Sequence, residues 1–297
     1  MTRPDAAPTL RDLLTEGEAA LAAAGIGTAR VEAEWLLARV LGAPRFAAYL
    51  EPRRALKSAA VAGYRALLAR RSAREPLQHL LGHEDFHGLR LAVSPAVLIP
   101  RPETEGLVQW ALERLPEERP ALVADIGTGS GAIALALAAA RPALQVVAVD
   151  RSPAALTVAR DNRDRLGLGD RVEFLEGDLL EPLIARGTRV DLLVANLPYV
   201  PGWSIDTLAI EVARHEPRLA LDGGPDGMGV IGRLLAQAHE ALRPGASLLL
   251  EIGPGQAGPL GASLSPLGFE AVETRADLSG VVRYLAGRWP GVPGEDR

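Results

Sequence analysis

The chain has 297 residues, enough for two domains, and its 48% hydrophobic and 23% charged residues are in the ordinary range for a soluble globular protein. Lys and Arg number 32 against 37 Asp and Glu, a net charge of −5, so no global basic footprint for nucleic acid is present. The absence of cysteine excludes disulfides, thiolate zinc sites and a cysteine nucleophile, and no stretch has the pattern of a signal peptide or a membrane span, so a cytoplasmic protein is expected.

The first eight residues contain prolines and are expected to be loose. From Thr9 to about Arg74 apolar residues recur at helix spacing: Leu10, Leu13, Leu14 and Leu21, then Val31, Trp35, Leu36 and Val40, then Val61, Tyr64, Leu67 and Leu68. Gly25, Gly27, Gly42 and Pro44 punctuate them, which predicts a small helical bundle. Between Gly82 and Pro100 the period changes around Gly88, predicting a β-hairpin. From Ala121 strands and helices alternate. Strands are expected at Ala121–Ile126, Leu144–Val149, Val172–Leu175, Val190–Ala195, Ser247–Ile252, Phe269–Thr274 and Val281–Ala286. Helices are expected at Ala132–Ala140, Pro153–Leu166 and Met228–Leu242. That alternation predicts a mostly parallel sheet covered on both faces. Pro290–Arg297 is expected to fray. The expected division is residues 1–80 helical, 81–100 hairpin linker, 101–290 sheet domain and 291–297 tail.

Asp125 ends a buried strand, and Gly127, Thr128, Gly129, Ser130 and Gly131 follow as a loop into a helix. Glycines permit the sharp turn and close ligand approach. Free N–H groups at the helix start would favour a polar or negative ligand group. Asp150 ends the next strand, where a carboxylate can accept from both hydroxyls of a ribose. Gly127, Gly129 and Ala132 also fit a dinucleotide fingerprint. Asp125 tilts the choice: a carboxylate there would repel a pyrophosphate but could bind the ammonium of a methionine-like tail, as in S-adenosylmethionine. Asp178 ends the third strand and is a candidate for an adenine amino group, with a solvated turn as the alternative.

Asp191–Ala195 is a central-strand sequence running into Asn196-Leu197-Pro198-Tyr199. Ligands sit at the carboxyl ends of such strands. Asn196 both donates and accepts, Pro198 holds Leu197 extended so that its carbonyl can face a substrate, and Tyr199 offers a flat face or a hydroxyl. Together they suit a planar nitrogen whose delocalised lone pair must be localised by accepting its N–H groups.

At this point the chain resembles the HemK/PrmC family of protein-(glutamine-N5) methyltransferases. The resemblance runs through Glu75–Gly82, Phe86–Leu89, Val97–Glu105, Asp125–Ile133, Glu216–Leu221, Gly223–Gly227, Leu250–Gly253 with Gln256, and Asp277–Gly280. It implies an α/β, Rossmann-like class I methyltransferase with a mostly parallel seven-stranded sheet, preceded by the helical bundle and hairpin. It implies S-adenosylmethionine as methyl donor and the Gly-Gly-Gln glutamine of class 1 peptide chain release factors as acceptor. Gly127–Gly131 and Asp150 match cofactor positions, and Leu179 stands where many relatives carry an aromatic near the adenine. Asn196–Tyr199 match the substrate motif, with Asn196, Pro198 and Tyr199 as the catalytic set and Asn196 also beside the cofactor. The helical domain would help recognise the release factor. Leu197 departs from the usual Asn-Pro-Pro-Tyr, and Asn-Leu-Pro-Tyr is similar to ribosomal RNA adenine dimethyltransferases, so adenine-N6 methylation of RNA or DNA is the alternative.

Other features are weaker. Arg53, Arg54, Lys57, Arg70, Arg71 and Arg74 form the densest cationic stretch, read either as a solvated face or as a docking surface. Arg101, Glu103 and Thr104 are candidates for the pocket lining, with Thr104 as a helix-start cap the alternative. His79, His83 and His87 recur every four residues, but Gly82 and Gly88 break the helix a metal face would need, so no metal is expected. Asp277 is read as a turn cap. No direct nucleic-acid or membrane contact is expected, and a monomer is the default.

Overall fold

The computed structural model describes residues 7–115 and 117–291. The expectations for residues 1–6 and 292–297 lie outside them. The chain divides into two compact units, residues 1–83 with 209–215, and residues 84–208 with 216–297.

The first unit is helical: α1 (Leu10–Ala23), α2 (Ala29–Leu41), α3 (Ala47–Leu50), α4 (Ser58–Ser72) and α5 (Leu77–Leu81). Thr9 starts α1 with a reciprocal cap, its hydroxyl accepting from the Asp12 N–H while Asp12 accepts from the Thr9 N–H. Leu10, Leu13, Leu14 and Leu21 bury the resulting stripe against Leu36, Leu37, Tyr64 and Leu68. The unit also holds a guanidinium in its interior. Arg71 is buried, bonding Glu32 at 2.5 Å and Glu211 at 3.0 Å, and Glu211 also binds Arg74 at 2.8 Å. Arg70 bonds Glu75 at 2.5 Å. This corrects the reading of the cationic stretch: its last three arginines are neutralised within the unit.

The second unit begins in the hairpin of β1 (His83–Phe86) and β2 (Leu89–Ala92), followed by α6 (Pro102–Arg114). Then come β3 (Ala121–Ile126), α7 (Ala132–Ala140), β4 (Leu144–Asp150), α8 (Pro153–Arg165), β5 (Val172–Glu176), α9 (Glu181–Ala185) and β6 (Val190–Asn196). The short α10 (Ile210–His215) belongs to the helical unit. The rest is α11 (Gly229–Ala241), β7 (Leu242–Glu251), α12 (Ala257–Leu264), β8 (Glu270–Ala276) and β9 (Val282–Arg288). The seven-stranded sheet has the order β5-β4-β3-β6-β7-β9-β8, parallel from β5 to β7 and antiparallel through β9 and β8.

Alternation along each strand divides the core in two. Val123, Leu192 and Val194 face α6, α7 and α8, packing on Leu107, Leu135 and Leu156. Ala124, Ile126, Leu193 and Ala195 face the other way, onto Leu183, Leu234 and Leu260 of α9, α11 and α12. The expected elements agree with these spans to within a few residues, except that β7 starts early, at Leu242, and runs through Pro244 and Gly245. A register shift against β6 between Val190 and Leu192 accommodates the extra length.

Candidate active site

The chain order reverses direction between β3 and β4 on one side and β6 on the other, and a cavity opens at the carboxyl ends of these strands. Gly127–Ser130, Asp150, Asp178, Leu179, Asn196, Leu197 and Pro198 all line it, whereas Gly131 and Tyr199 do not.

Gly127 turns the chain with φ +75°, and a Cβ there would stand 2.8 Å from Cδ2 of Leu197. Glycine therefore serves twice, permitting left-handed backbone and letting two strand ends touch. The loop's donors are largely consumed within the protein. The N–H groups of Gly127 and Thr128 donate to the Val149 carbonyl at 2.8 and 3.0 Å, that of Gly131 to Thr128, and that of Gly129 to Asp150 Oδ2 at 2.8 Å. This corrects the expected rack of free N–H groups. It also makes the loop a poor cradle for pyrophosphate, which needs such donors.

Asp125 is corrected too. It is fully buried beneath the loop, its Oδ2 accepting from the Thr128 hydroxyl at 2.6 Å and the Ala134 N–H at 3.1 Å, while Oδ1 meets no polar partner. It does not line the cavity. Burial pushes its carboxyl up to about 7 against the pull of those hydrogen bonds, and the neighbouring Asp150 charge adds to the rise. A side chain so enclosed ties the loop to α7 instead of gripping an ammonium.

Asp150 does face the cavity. Its Oδ2 accepts from Gly129 and its Oδ1 from the Ser152 N–H at 2.9 Å, which leaves each oxygen a second lone pair for a vicinal diol. Burial raises its pKa, and the two backbone hydrogen bonds oppose the rise. Leu179 is buried in the wall at φ +51°. Asp178 lies in the bend after β5, half-buried at the cavity wall, and forms an ion pair with Arg233. A carboxylate with lone pairs to spare, an apolar wall and a loop whose donors are largely consumed would suit a nucleoside with a compact polar tail.

Asn196 is the last residue of β6, and its Nδ2 donates to Thr104 Oγ1 at 3.1 Å. Thr104 lies in the first turn of α6, buried, and Arg101 holds the cap position that was the alternative role for Thr104. Arg101 and Thr104 line the cavity and Glu103 does not. Asn196 pairs in register with Glu251 of β7. Glu251 is buried, and burial lifts its carboxyl to about 7 despite the Thr104 hydroxyl and the Arg283 charge. Tyr199 directs its hydroxyl at Glu251 Oε1, 3.5 Å away, and burial first, then the Glu251 charge, pushes the phenol up to about 12. Its hydroxyl is therefore turned from the cavity.

Backbone clamps hold the Asn196–Tyr199 turn. Gln256 Nε2 donates to the carbonyls of Tyr199 at 3.0 Å and Gly227 at 3.2 Å, while its Oε1 accepts from the Gly253 N–H at 2.8 Å. A Cβ on Gly227 would collide with the Tyr199 carbonyl oxygen. Glu216, buried, accepts from the Ile99 N–H at 3.2 Å and from Arg101 at 2.5 Å. Residue reasoning had assigned no role to Glu216, Gln256 or Glu251. Their signal was present only as polar residues in otherwise apolar or glycine-rich runs. Asp277 caps a turn, accepting from the Ser279 and Val281 N–H groups. Among the described residues no cluster of His, Asp and Glu could hold a metal ion, and no helix is long and apolar enough to cross a membrane.

Comparison with known proteins agrees with this geometry. Residues 12–82 match the PrmC N-terminal domain and residues 123–215 a methyltransferase domain. The chain is 44% identical to the release factor glutamine methyltransferase of Geobacter sulfurreducens, covering 94% of this chain and 96% of that one. It is 50% identical to the enzyme of the same name from Moorella thermoacetica, covering 84% and 87%. A methyltransferase structure from Pyrococcus furiosus, 18% identical, superposes with a TM-score of 0.51 over 69% of this chain and 90% of that chain, which is a likeness of fold. The chain belongs to the release factor glutamine methyltransferase family.

Proposed function

We propose that this chain transfers a methyl group from S-adenosylmethionine to the side-chain amide nitrogen of the glutamine in the Gly-Gly-Gln motif of class 1 peptide chain release factors, in the cytoplasm. The observation that carries the reading is Asn196, standing at a strand end in the cavity that Asp150 and the glycine loop share.

S-adenosylmethionine, when bound, supplies an electrophilic methyl on a sulfonium. Asp150 would accept from its ribose hydroxyls, Leu179 would cover the adenine, Asp178 would take the adenine amino group, and Gly127–Gly131 would let the tail approach the backbone. Asn196 Oδ1 and the Leu197 carbonyl would accept from the two N–H groups of the glutamine amide. Accepting both localises a lone pair otherwise shared with the carbonyl, and fixes the nitrogen in line for attack. No base need act first, because the amide proton becomes acidic as the new bond forms. Pro198 and the Gln256 clamp keep the turn from relaxing.

The nucleic-acid alternative, which the Asn-Leu-Pro-Tyr motif raised, would need a basic surface, and Arg70, Arg71 and Arg74 of the densest cationic stretch are bound to carboxylates within the helical unit. The test is mass spectrometry of a release factor incubated with the protein and labelled S-adenosylmethionine, beside an RNA sample. One added methyl on the Gly-Gly-Gln glutamine is expected. Label in RNA with none in the release factor rejects the proposal.

A further inference from the structure

We infer that Asn162 is a positioning residue for the cofactor: from outside the cavity it ties the glycine loop to the segment after β2, and so fixes the spacing of two stretches that line the cavity. The inference rests on the reading of that cavity as the S-adenosylmethionine site.

Asn162 lies on α8, buried, and does not itself line the cavity. A polar side chain so enclosed must have its donors and acceptor paired. Here they are paired with backbone groups of two other segments. Oδ1 accepts from the Ala92 N–H at 2.6 Å, and Nδ2 donates to the Ala92 carbonyl at 3.1 Å and to the Ser130 carbonyl at 3.0 Å. Toward Ala92 the amide does what a neighbouring strand would do, exchanging both hydrogen bonds with one residue at the end of β2. Its second N–H is left for Ser130. An ionised aspartate has no donor for either carbonyl, and a hydroxyl has only one, so the set calls for an amide.

The Ser130 end of the tie is part of the cavity wall. The Ser130 carbonyl belongs to the peptide that leads into Gly131, and the N–H of that same peptide donates to the Thr128 carbonyl at 2.8 Å. The peptide is thus held on both edges, by the loop on one and by Asn162 on the other, where Gly131 at φ +83° turns the chain into α7. The Ala92 end leads into the run up to Arg101. Val93 and Val97 pack on Ala155 of α8, and Ala96, Val97, Leu98 and Pro100 line the cavity. Glu216 holds the far end of this run at Ile99 and Arg101, and Asn162 holds the near end. Removing the amide leaves three backbone groups without their partner and separates the loop from the run.

Calorimetric binding of S-adenosylmethionine and turnover with a purified release factor are measured on the full chain, in wild type, Asn162→Ala, Asn162→Asp and Leu144→Ala. Asn162→Asp keeps the shape and the acceptor for Ala92 but sets an oxygen against two carbonyls. Leu144 is fully buried at the start of β4, the end of that strand away from the cavity, so its truncation costs stability without touching the tie. Both Asn162 variants are expected to bind S-adenosylmethionine about tenfold more weakly or worse, the scale of one buried polar group left without its partner. The KM for S-adenosylmethionine should rise in step, with kcat at saturating cofactor near wild type. Leu144→Ala should lower the thermal midpoint with cofactor affinity retained. Should the Asn162 variants fail to fold, hydrogen exchange in the wild-type chain carries the test. The Ala92 N–H, which meets Asn162 and not the cavity, should exchange more slowly once S-adenosylmethionine is bound. Wild-type affinity in both Asn162 variants, or an equal loss in Leu144→Ala, overturns the inference. So does a fall in kcat with affinity unchanged, or Ala92 exchange that the cofactor leaves unaltered. A wild-type chain that binds no S-adenosylmethionine overturns the reading of the cavity itself, and the inference with it.

Discussion

The ends of β3 and β6 are neighbours in the sheet, yet they are built from opposite materials. At the end of β3 the working surface is backbone. Glycines make the turn, the loop's N–H groups are tied to Val149 and Asp150, and a sealed carboxylate pins the loop from below. At the end of β6 the working surface is a side chain, Asn196, whose amide donates to Thr104, while Gln256 holds the Tyr199 carbonyl of the same turn. Backbone geometry recognises a shape that many ligands share. An oriented amide recognises one pattern of donors. On the proposed reading, the first end suits a common cofactor and the second end carries the choice of acceptor.

The sharpest way to break this contrast is Asn196→Ala. It should lower kcat by about a thousandfold, the scale of losing a donor or acceptor aimed at the reacting group, while S-adenosylmethionine still binds calorimetrically. Loss of cofactor binding with no separate loss of turnover would merge the two ends into one.

The next effect concerns the acid under the β3 loop. Asp125 has its folded pKa raised from 3.8 to about 7. The native state therefore holds this proton more tightly than the unfolded chain, and the stability this group contributes is greatest below its unfolded pKa and falls as pH rises towards 7. Asp125 alone should contribute a loss of about 3 kcal/mol between roughly pH 4 and pH 7. Glu251, raised to about 7, adds a slope of the same sign. Urea midpoints across that range should slope less in Asp125→Asn than in wild type. Parallel slopes would mean that Asp125 stays ionised in the fold.

A smaller effect is expected for Gly127→Ala. A Cβ at φ +75° and 2.8 Å from Leu197 should strain the loop by roughly 1–3 kcal/mol. The loss should appear as weaker S-adenosylmethionine binding before any loss of turnover at saturation. A variant with normal cofactor affinity and depressed kcat would assign the loop to the acceptor instead.

The smallest change should come from Leu197→Pro. Proline adds rigidity worth about 0.4–1 kcal/mol, but the leucine side chain is buried and touches Gly127, so packing is lost in exchange. The two should nearly cancel, leaving kcat within about threefold of wild type. A large gain would show that chain stiffness at this turn limits the reaction.

Much of the fold was readable because its signals are local. Ala121–Ile126 is an apolar run stopped by glycine, and Ala132–Ala140 starts where that loop ends; both expected spans match the structure. The cavity-facing positions of Asp150 and Asn196 followed from their places at strand ends. What could not be read was the direction of side chains and the identity of distant partners. Asp125 was drawn toward a ligand because nothing local says that its carboxylate folds under the loop onto Thr128 and Ala134. Arg71 looked like part of a cationic surface because Glu32 and Glu211 lie far along the chain. Glu216 and Gln256 were silent for the same reason: each acquires its role only when separate elements meet.

The path of the chain through the helical unit limits how this chain can be recombined. That unit is discontinuous, for residues 209–215 belong to it although they follow β6. A helical block excised at His83 and grafted onto another catalytic domain would arrive with Arg71 buried and Glu211 left behind. Its guanidinium would keep Glu32 but lose the second carboxylate, at a cost of about 3 kcal/mol or more. Exchange of the helical unit therefore has to carry two segments of sequence, and α10 is the short one.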